Sequence, residues 1–170
     1  MSIPAIPLLA GDRFTAHGYN LGKPRYAWKT VSESVTSSTS DQLDDELFLP
    51  VEPYSVYLVL GCYSVTSSTT GDIRLGYSVP SNAQGRRQCV GPTAGVTSST
   101  STSMRISVHG WPTAVTYGAT STAVSIIEEG LLVTEDGGGL LQLQWAQATS
   151  DATATTIASS SFLMARRVMS

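Results

Sequence analysis

Along most of this chain apolar and polar residues alternate with a period of two, the spacing of a half-buried β-strand. RYAWKTVSES sets Tyr26, Trp28, Thr30 and Ser32 on one side and Ala27, Lys29 and Val31 on the other. The run LFLPVEPYSVYLVLGCYSV departs from that pattern. Tyr54, Val56, Leu58, Leu60 and Cys62 share one face, while Tyr57, Val59 and Tyr63 share the opposite one, so both faces are apolar. A strand in a two-sheet sandwich normally keeps one face wet. Two apolar faces therefore predict that another element, or another copy of the chain, covers the outer one.

DIRLGYSVP, SMRISVHG, TAVSIIEEG and LLVTE read as further short strands bounded by Gly, Pro or Ser. LLVTEDGGGLLQLQWAQ reads as a hairpin turning at Asp136-Gly137, with Leu141, Leu143 and Trp145 facing in and Gln142 and Gln144 facing out. SFLMARRV supplies the last strand. Helical period is confined to TAHGYNLG, which Gly18 and Gly22 weaken. About eight to ten such strands without helices between them predict an all-β, antiparallel jelly-roll sandwich.

The stretch VTSST occurs at Val35–Thr39, Val65–Thr69 and Val96–Thr100. A solenoid requires the apolar positions of each copy to recur, so that stacked units share a core. Here only the polar part recurs, and Ser/Thr clusters favour loops because their hydroxyls bond the local backbone. The three copies read as strand ends and loops of one closed domain.

Residues 1–24 differ from the rest. Pro4, Pro7 and Pro24 oppose regular strand pairing, yet Ile3, Ile6, Leu8, Leu9, Phe14 and Tyr19 are more apolar than a solvated tail requires. This predicts an extended N-terminal docking arm over 1–24 and a β domain over 25–170. The arm's first residues lack a basic n-region, so they do not read as a secretory signal. No apolar run approaches the roughly 18 residues of a membrane span.

Charged residues make up 14% of the 170 and net charge is −3, while 24 Ser and 20 Thr supply a hydroxyl-rich surface. Nothing in that balance selects nucleic acid or an anionic membrane. Residues 1–30 carry +4 − 1 = +3, leaving −6 for the remainder, a basic leader on an acidic body. Cys62 and Cys89 read as reduced small hydrophobes, with a disulfide between them as the alternative.

Candidate chemistry is sparse. His17 and His109 have no metal-ligating residue at suitable spacing. Asp44, Asp45 and Glu46 are acidic enough for calcium, but no glycine turn follows to place further oxygen ligands, so they read as a solvated acidic loop. Glu128 and Glu129 read as a pair beside a turn at Gly130; neighbouring strand positions point to opposite faces, which argues against a shared substrate. A carbohydrate-active domain built on either acidic group is the alternative of another class. Arg86-Arg87 and Arg166-Arg167 read as partners of acids at a subunit contact. No nucleophile elbow, phosphate loop or dinucleotide fingerprint is present, and no catalytic, cofactor or metal residue is assigned.

KPRYAWKTVSESVTSSTSDQLDDELFLPVEPYSVYLVLGCY, GDIRLGYSVP and LLQLQWAQATSDATATTIASSSFLMARRV resemble small structural proteins of tailed bacteriophages, notably those infecting actinobacteria. The resemblance implies a jelly roll similar to that of tumour necrosis factor, assembled as a homotrimer, and a short N-terminal segment like AGDRFTAHGYN that attaches it to the virion. It implies a non-enzymatic capsid decoration protein at the virion surface, contacting the major capsid protein; a minor tail or tail-fibre receptor-binding protein is the alternative. The docking residues would be Ile3, Ile6, Leu8, Leu9, Arg13, Phe14 and Tyr19. Tyr57, Val59 and Tyr63 would form the trimer interface.

Overall fold

A computed structural model describes residues 22–98, 100 and 103–169. Twelve strands lie among them: β1 Arg25–Trp28, β2 Glu33–Val35, β3 Gln42–Val51, β4 Val56–Thr66, β5 Ile73–Ser78, β6 Gln84–Pro92, β7 Met104–Gly110, β8 Val115–Tyr117, β9 Val124–Val133, β10 Gly139–Ala146, β11 Thr155–Ile157 and β12 Phe162–Met169. No helix occurs among the described residues. The larger sheet runs β1-β12-β4-β9-β6-β7, with β11 and β2 continuing beside β4, and the smaller runs β3-β10-β5-β8. All pairings are antiparallel. The chain crosses repeatedly between β1-β12-β4-β9 and β3-β10-β5-β8, as a jelly roll requires. The β6–β7 hairpin, inserted between β5 and β8, widens the larger sheet.

Alternation along each strand decides what fills the space between the sheets. Tyr57, Val59, Tyr63 and Val65 of β4, with Ile126 and Leu132 of β9, meet Leu47 and Leu49 of β3, Leu75 and Tyr77 of β5, and Leu141, Leu143 and Trp145 of β10. The inward direction read for the last three holds.

Three chain paths differ from the sequence reading. The run LFLPVEPYSVYLVLGCYSV is not one strand: it divides between β3 of the smaller sheet and β4 of the larger, and Tyr54, at φ 49°, lies in the turn between them and not on the β4 face. TAVSIIEEG and LLVTE are one strand, β9, which runs straight through Gly130. A Cβ at Gly130 would fall 2.1 Å from the Arg86 carbonyl oxygen and 2.7 Å from Arg87 Cα, so the glycine permits close approach of β6 and makes no turn. Nor is the following segment a hairpin. β9 pairs with β4 and β6, whereas β10 pairs with β3 and β5, so Asp136–Gly139 carry the chain from one sheet to the other. Turn chemistry is the same in both cases, and local sequence does not distinguish them.

The registers give the sandwich two distinct ends. Val51, Val56, Gln84, Gly110, Val133 and Gly139 gather at one, beside Pro50, Pro53 and Pro80. The described residues of the three VTSST stretches lie toward the other. Ser37 N donates to Asp151 O, Ser67 N to Thr120 O, and Gly95 N to the Asp72 carboxylate, which also accepts from Ala119 N. Recurrence of the motif thus marks one hydroxyl-rich end of a closed domain, not stacked units. β1 begins at the proline end, where Arg25 donates to Pro50 O and pairs with Glu52. The short helix read within TAHGYNLG lies outside the described residues.

Candidate functional site

The broadest unpartnered surface is the outer face of the larger sheet. Residues that share a register position across an antiparallel sheet point to the same side. One such row reads Trp28–Phe162–Cys62–Ile127–Val90–Ile106 across β1, β12, β4, β9, β6 and β7. All six are apolar, and Trp28 and Ile106 are 62% and 73% exposed. The next row reads Tyr26–Met164–Leu60–Glu129–Gln88–Val108, and the third carries Arg166, Leu58, Leu131 and Arg86. Glu129, Arg86 and Arg166 form no ion pair within the chain among the described residues. Six strands about 4.8 Å apart make each row about 25 Å long, and three rows about 7 Å apart make a face of roughly 500 Å² in projection. Only the first row is wholly apolar; the other two mix apolar residues with Glu129, Gln88, Arg86 and Arg166, the combination of apolar strip and polar surround that marks an interaction surface.

This face corrects the reading of β4. Its two apolar sides were recognised, but Tyr57, Val59 and Tyr63 are 1%, 0% and 0% exposed, filling the interior of a single chain. The side left for another copy carries Val56, Leu58, Leu60 and Cys62. Alternation states that two sides exist; only the second sheet determines which is inside. The docking residues Ile3, Ile6, Leu8, Leu9, Arg13, Phe14 and Tyr19, and His17, lie outside the described residues.

The candidate chemical groups are built into the fold. Glu128 and Arg87 are both fully buried, and Arg87 Nε donates to Glu128 Oε2 at 3.0 Å. Three of the four remaining guanidinium protons reach the carbonyls of Gly110, Trp111 and Thr113, and the cation lies over the rings of Tyr77 and Trp111. Tyr117 Oη donates to Glu128 Oε1 at 2.6 Å, and Tyr63 and Tyr77 join through their hydroxyls. Burial, reinforced by the Glu128 charge, holds all three tyrosines neutral far above the usual range. Arg87 therefore pairs within its own chain, not at a subunit contact. Glu129 projects to the opposite face from Glu128, so the two share no site, as their spacing implied.

Asp44, Asp45 and Glu46 lie on strand β3, not in a solvated loop. Asp44 is fully buried against Lys29, which is 1% exposed. Glu33, Asp44 and Asp45 bring oxygens within 4.8 Å of one another, but Lys29 Nζ stands among them, 2.7 Å from Glu33, 2.9 Å from Asp44 and 3.3 Å from Asp45. The cation at the centre of the cluster is thus supplied by the chain itself, offsetting one of the three negative charges. Glu46 instead accepts from the backbone and hydroxyl of Thr30, which holds its carboxyl below the usual range.

His109 contacts Ser107 Oγ at 3.0 Å. Cys62 and Cys89 are free thiols on opposite faces of the sheet, since Cys62 pairs in register with Ile127 and Cys89 with Glu128. Burial pushes the Cys89 thiol up to about 11.

No family model matches the chain, and no curated protein matches its sequence. Among solved structures, the tripod from the baseplate of bacteriophage Tuc2009 aligns over 98% of this chain and 79% of that one, at 10% identity and a TM-score of 0.38. An infectious bursal disease virus structure, Gt strain, aligns over 99% of this chain and 41% of that one, at 10% identity and a TM-score of 0.21. The VP2 subviral particle of that virus aligns over 99% and 47%, at 10% identity and 0.21. This chain thus spans less than half of the two viral chains, and overlaps this slight carry no role across.

Proposed function

We propose that this chain is a non-enzymatic structural protein of a bacteriophage particle, a homotrimeric capsid decoration protein held to the shell by residues 1–24. The observation that carries the reading is the apolar row crossing all six strands of the larger sheet. A specific interface removes about 800 Å² from each partner, and the three rows are of that order. At about 25 cal/mol per Å², covering the apolar part of such a face contributes several kcal/mol toward an association cost of about 4–15 kcal/mol. Glu129 lies one row from Arg86 and Arg166, so a second copy laid on this face finds both an apolar strip and opposite charge.

The polarity of the sandwich supports attachment at one end. β1 enters at the proline end, so the chain joins the body at Arg25 at the pole opposite the VTSST loops. A trimer attached through residues 1–24 turns its hydroxyl-rich loops outward. The same polarity serves the second reading, a minor tail or receptor-binding protein whose loops meet the cell envelope.

Sedimentation and particle binding test the proposal together. The intact protein is expected to sediment as a trimer of the 17.9 kDa chain. Deletion of residues 1–24 should leave that trimer intact and abolish its binding to phage heads. A lone monomer at micromolar concentration, or a truncated protein that still coats heads, overturns it. Copy number separates the readings: hundreds per particle indicate the head, a handful the tail.

A further inference from the structure

Lys29 is the most deeply buried cation near the start of the domain, and its surroundings do more than neutralise it. Nζ lies 2.9 Å from each carboxylate oxygen of Asp44, which places it against the Asp44 carboxyl carbon. Glu33 Oε2 accepts from the same Nζ at 2.7 Å, and Gln42 holds the other oxygen of Glu33 at 2.8 Å. Asp44 Oδ1 also accepts from two backbone amides, Glu46 N at 3.1 Å and Leu47 N at 2.8 Å. A nucleophile, an electrophilic carbon, a proton carrier and a pair of donors on the oxygen that becomes negative are thus assembled with Lys29 and Asp44 shielded from water.

We propose that Lys29 and Asp44 condense into an intramolecular isopeptide bond, with Glu33 carrying the protons. One proton first passes from the ammonium through Glu33 to Asp44 Oδ2, leaving a neutral amine beside a neutral carboxyl; Nζ then attacks Asp44 Cγ, and the two amides stabilise the oxyanion on Oδ1. The Cγ–Oδ2 bond then breaks. Of the three protons on the ammonium, one stays on the amide nitrogen, and Glu33 relays the other two to Oδ2, which leaves as water. Charge and atoms balance without an oxidant or co-reactant.

A buried ion pair carries a desolvation cost that a neutral amide does not, which favours the product in this setting. Burial disfavours charge on both Lys29 and Glu33; the bonds from Asp44 and Glu33 keep the amine protonated until a proton passes on, and burial raises the Glu33 carboxyl toward the proton affinity a relay needs. The bond would tie the end of β1 to β3 across the two sheets. Under the reading above, tension entering at residue 24 would then pass into the smaller sheet without unzipping β1 from β12.

Intact mass of the denatured full-length protein decides the matter. The expected result is a mass one water below that of the sequence, with a branched tryptic peptide joining Lys29 to Asp44. Lys29→Arg and Glu33→Gln should each restore the full mass. Wild-type protein at its full sequence mass overturns the proposal, as does a branch at any other carboxylate, or a missing water that persists in Lys29→Arg. The wild-type measurement needs no variant to fold. It is also independent of oligomeric state, so a monomer with the bond, or a trimer without it, tells the two proposals apart.

Discussion

The two outer faces of this sandwich are built on the same backbone pattern and finished differently. On the smaller sheet, Gln142 and Gln144 of β10, Arg74 and Ser78 of β5 and Thr116 of β8 point outward beside the exposed Leu43 and Phe48 of β3 and Leu140 of β10, and Gln142 donates a hydrogen bond to the Asp44 carbonyl. On the larger sheet the corresponding positions are Cys62, Ile127, Val90 and their row. Where amides and hydroxyls dominate, a face keeps its hydration when the chain folds. A face of aliphatic and aromatic groups leaves its hydrophobic free energy unspent until another surface covers it. The larger sheet carries an unbroken apolar row across six strands, whereas on the smaller sheet Leu43, Phe48 and Leu140 are interrupted by Asp45, Gln142 and Gln144.

The largest expected effect lies in the core that both faces share. Glu128→Ala leaves Arg87 charged and buried without its partner, at a cost of about 3–5 kcal/mol. At roughly 2–4 °C per kcal/mol this lowers Tm by about 10 °C, measurable by calorimetry. A loss under about 1 kcal/mol would mean that the carbonyls of Gly110, Trp111 and Thr113 suffice to hold the guanidinium.

The comparison itself is sharpened by matched substitutions. Ile127→Glu at the centre of the large face should dissociate the trimer, whereas Gln142→Glu on the small face should leave sedimentation unchanged. If both variants remain trimeric, the apolar row is not the interface. Glu129→Arg places a third cation beside Arg86 and Arg166 and is expected to weaken assembly more at low salt than at high salt.

Thiol labelling gives a smaller readout without mutation. Cys62 lies on the proposed interface, so it should react in dilute monomer and be protected in the trimer. Cys89, buried with its thiol raised to about 11, should stay unreactive until the chain unfolds. Equal labelling of Cys62 in both states would break the assignment.

The smallest effect concerns acid. The folded carboxyl of Glu46 titrates below its ordinary value of 4.5 because Thr30 bonds its charged form. The stability it contributes is therefore complete above that value and is lost as pH falls through the lower folded one. Glu46→Gln should flatten the fall of Tm below about pH 4.5 relative to wild type, a difference readable by scanning Tm against pH.

Much of this was legible in the residues, for identifiable reasons. Alternation through Tyr54–Tyr63 announced a strand with two apolar sides, found at Val56–Thr66, and Leu141, Leu143 and Trp145 face inward as their spacing implied. What misled was always a feature with two tertiary uses. Gly130 resembles a turn but serves close strand approach; Asp136–Gly139 resemble a hairpin but join two sheets. Asp44 resembles a solvated acid because its counter-ion, Lys29, is 15 residues away, a separation no local pattern reports.

Period, turn residues and the absence of helical spacing were enough to determine an antiparallel all-β domain, because local backbone preference and side-chain alternation act over a few residues. Which side of β4 became interior, which glycines made corners, and which acids met a buried cation were decided only when the second sheet closed over the first. Burial depends on what lies opposite a residue, and that is set by contacts between distant parts of the chain.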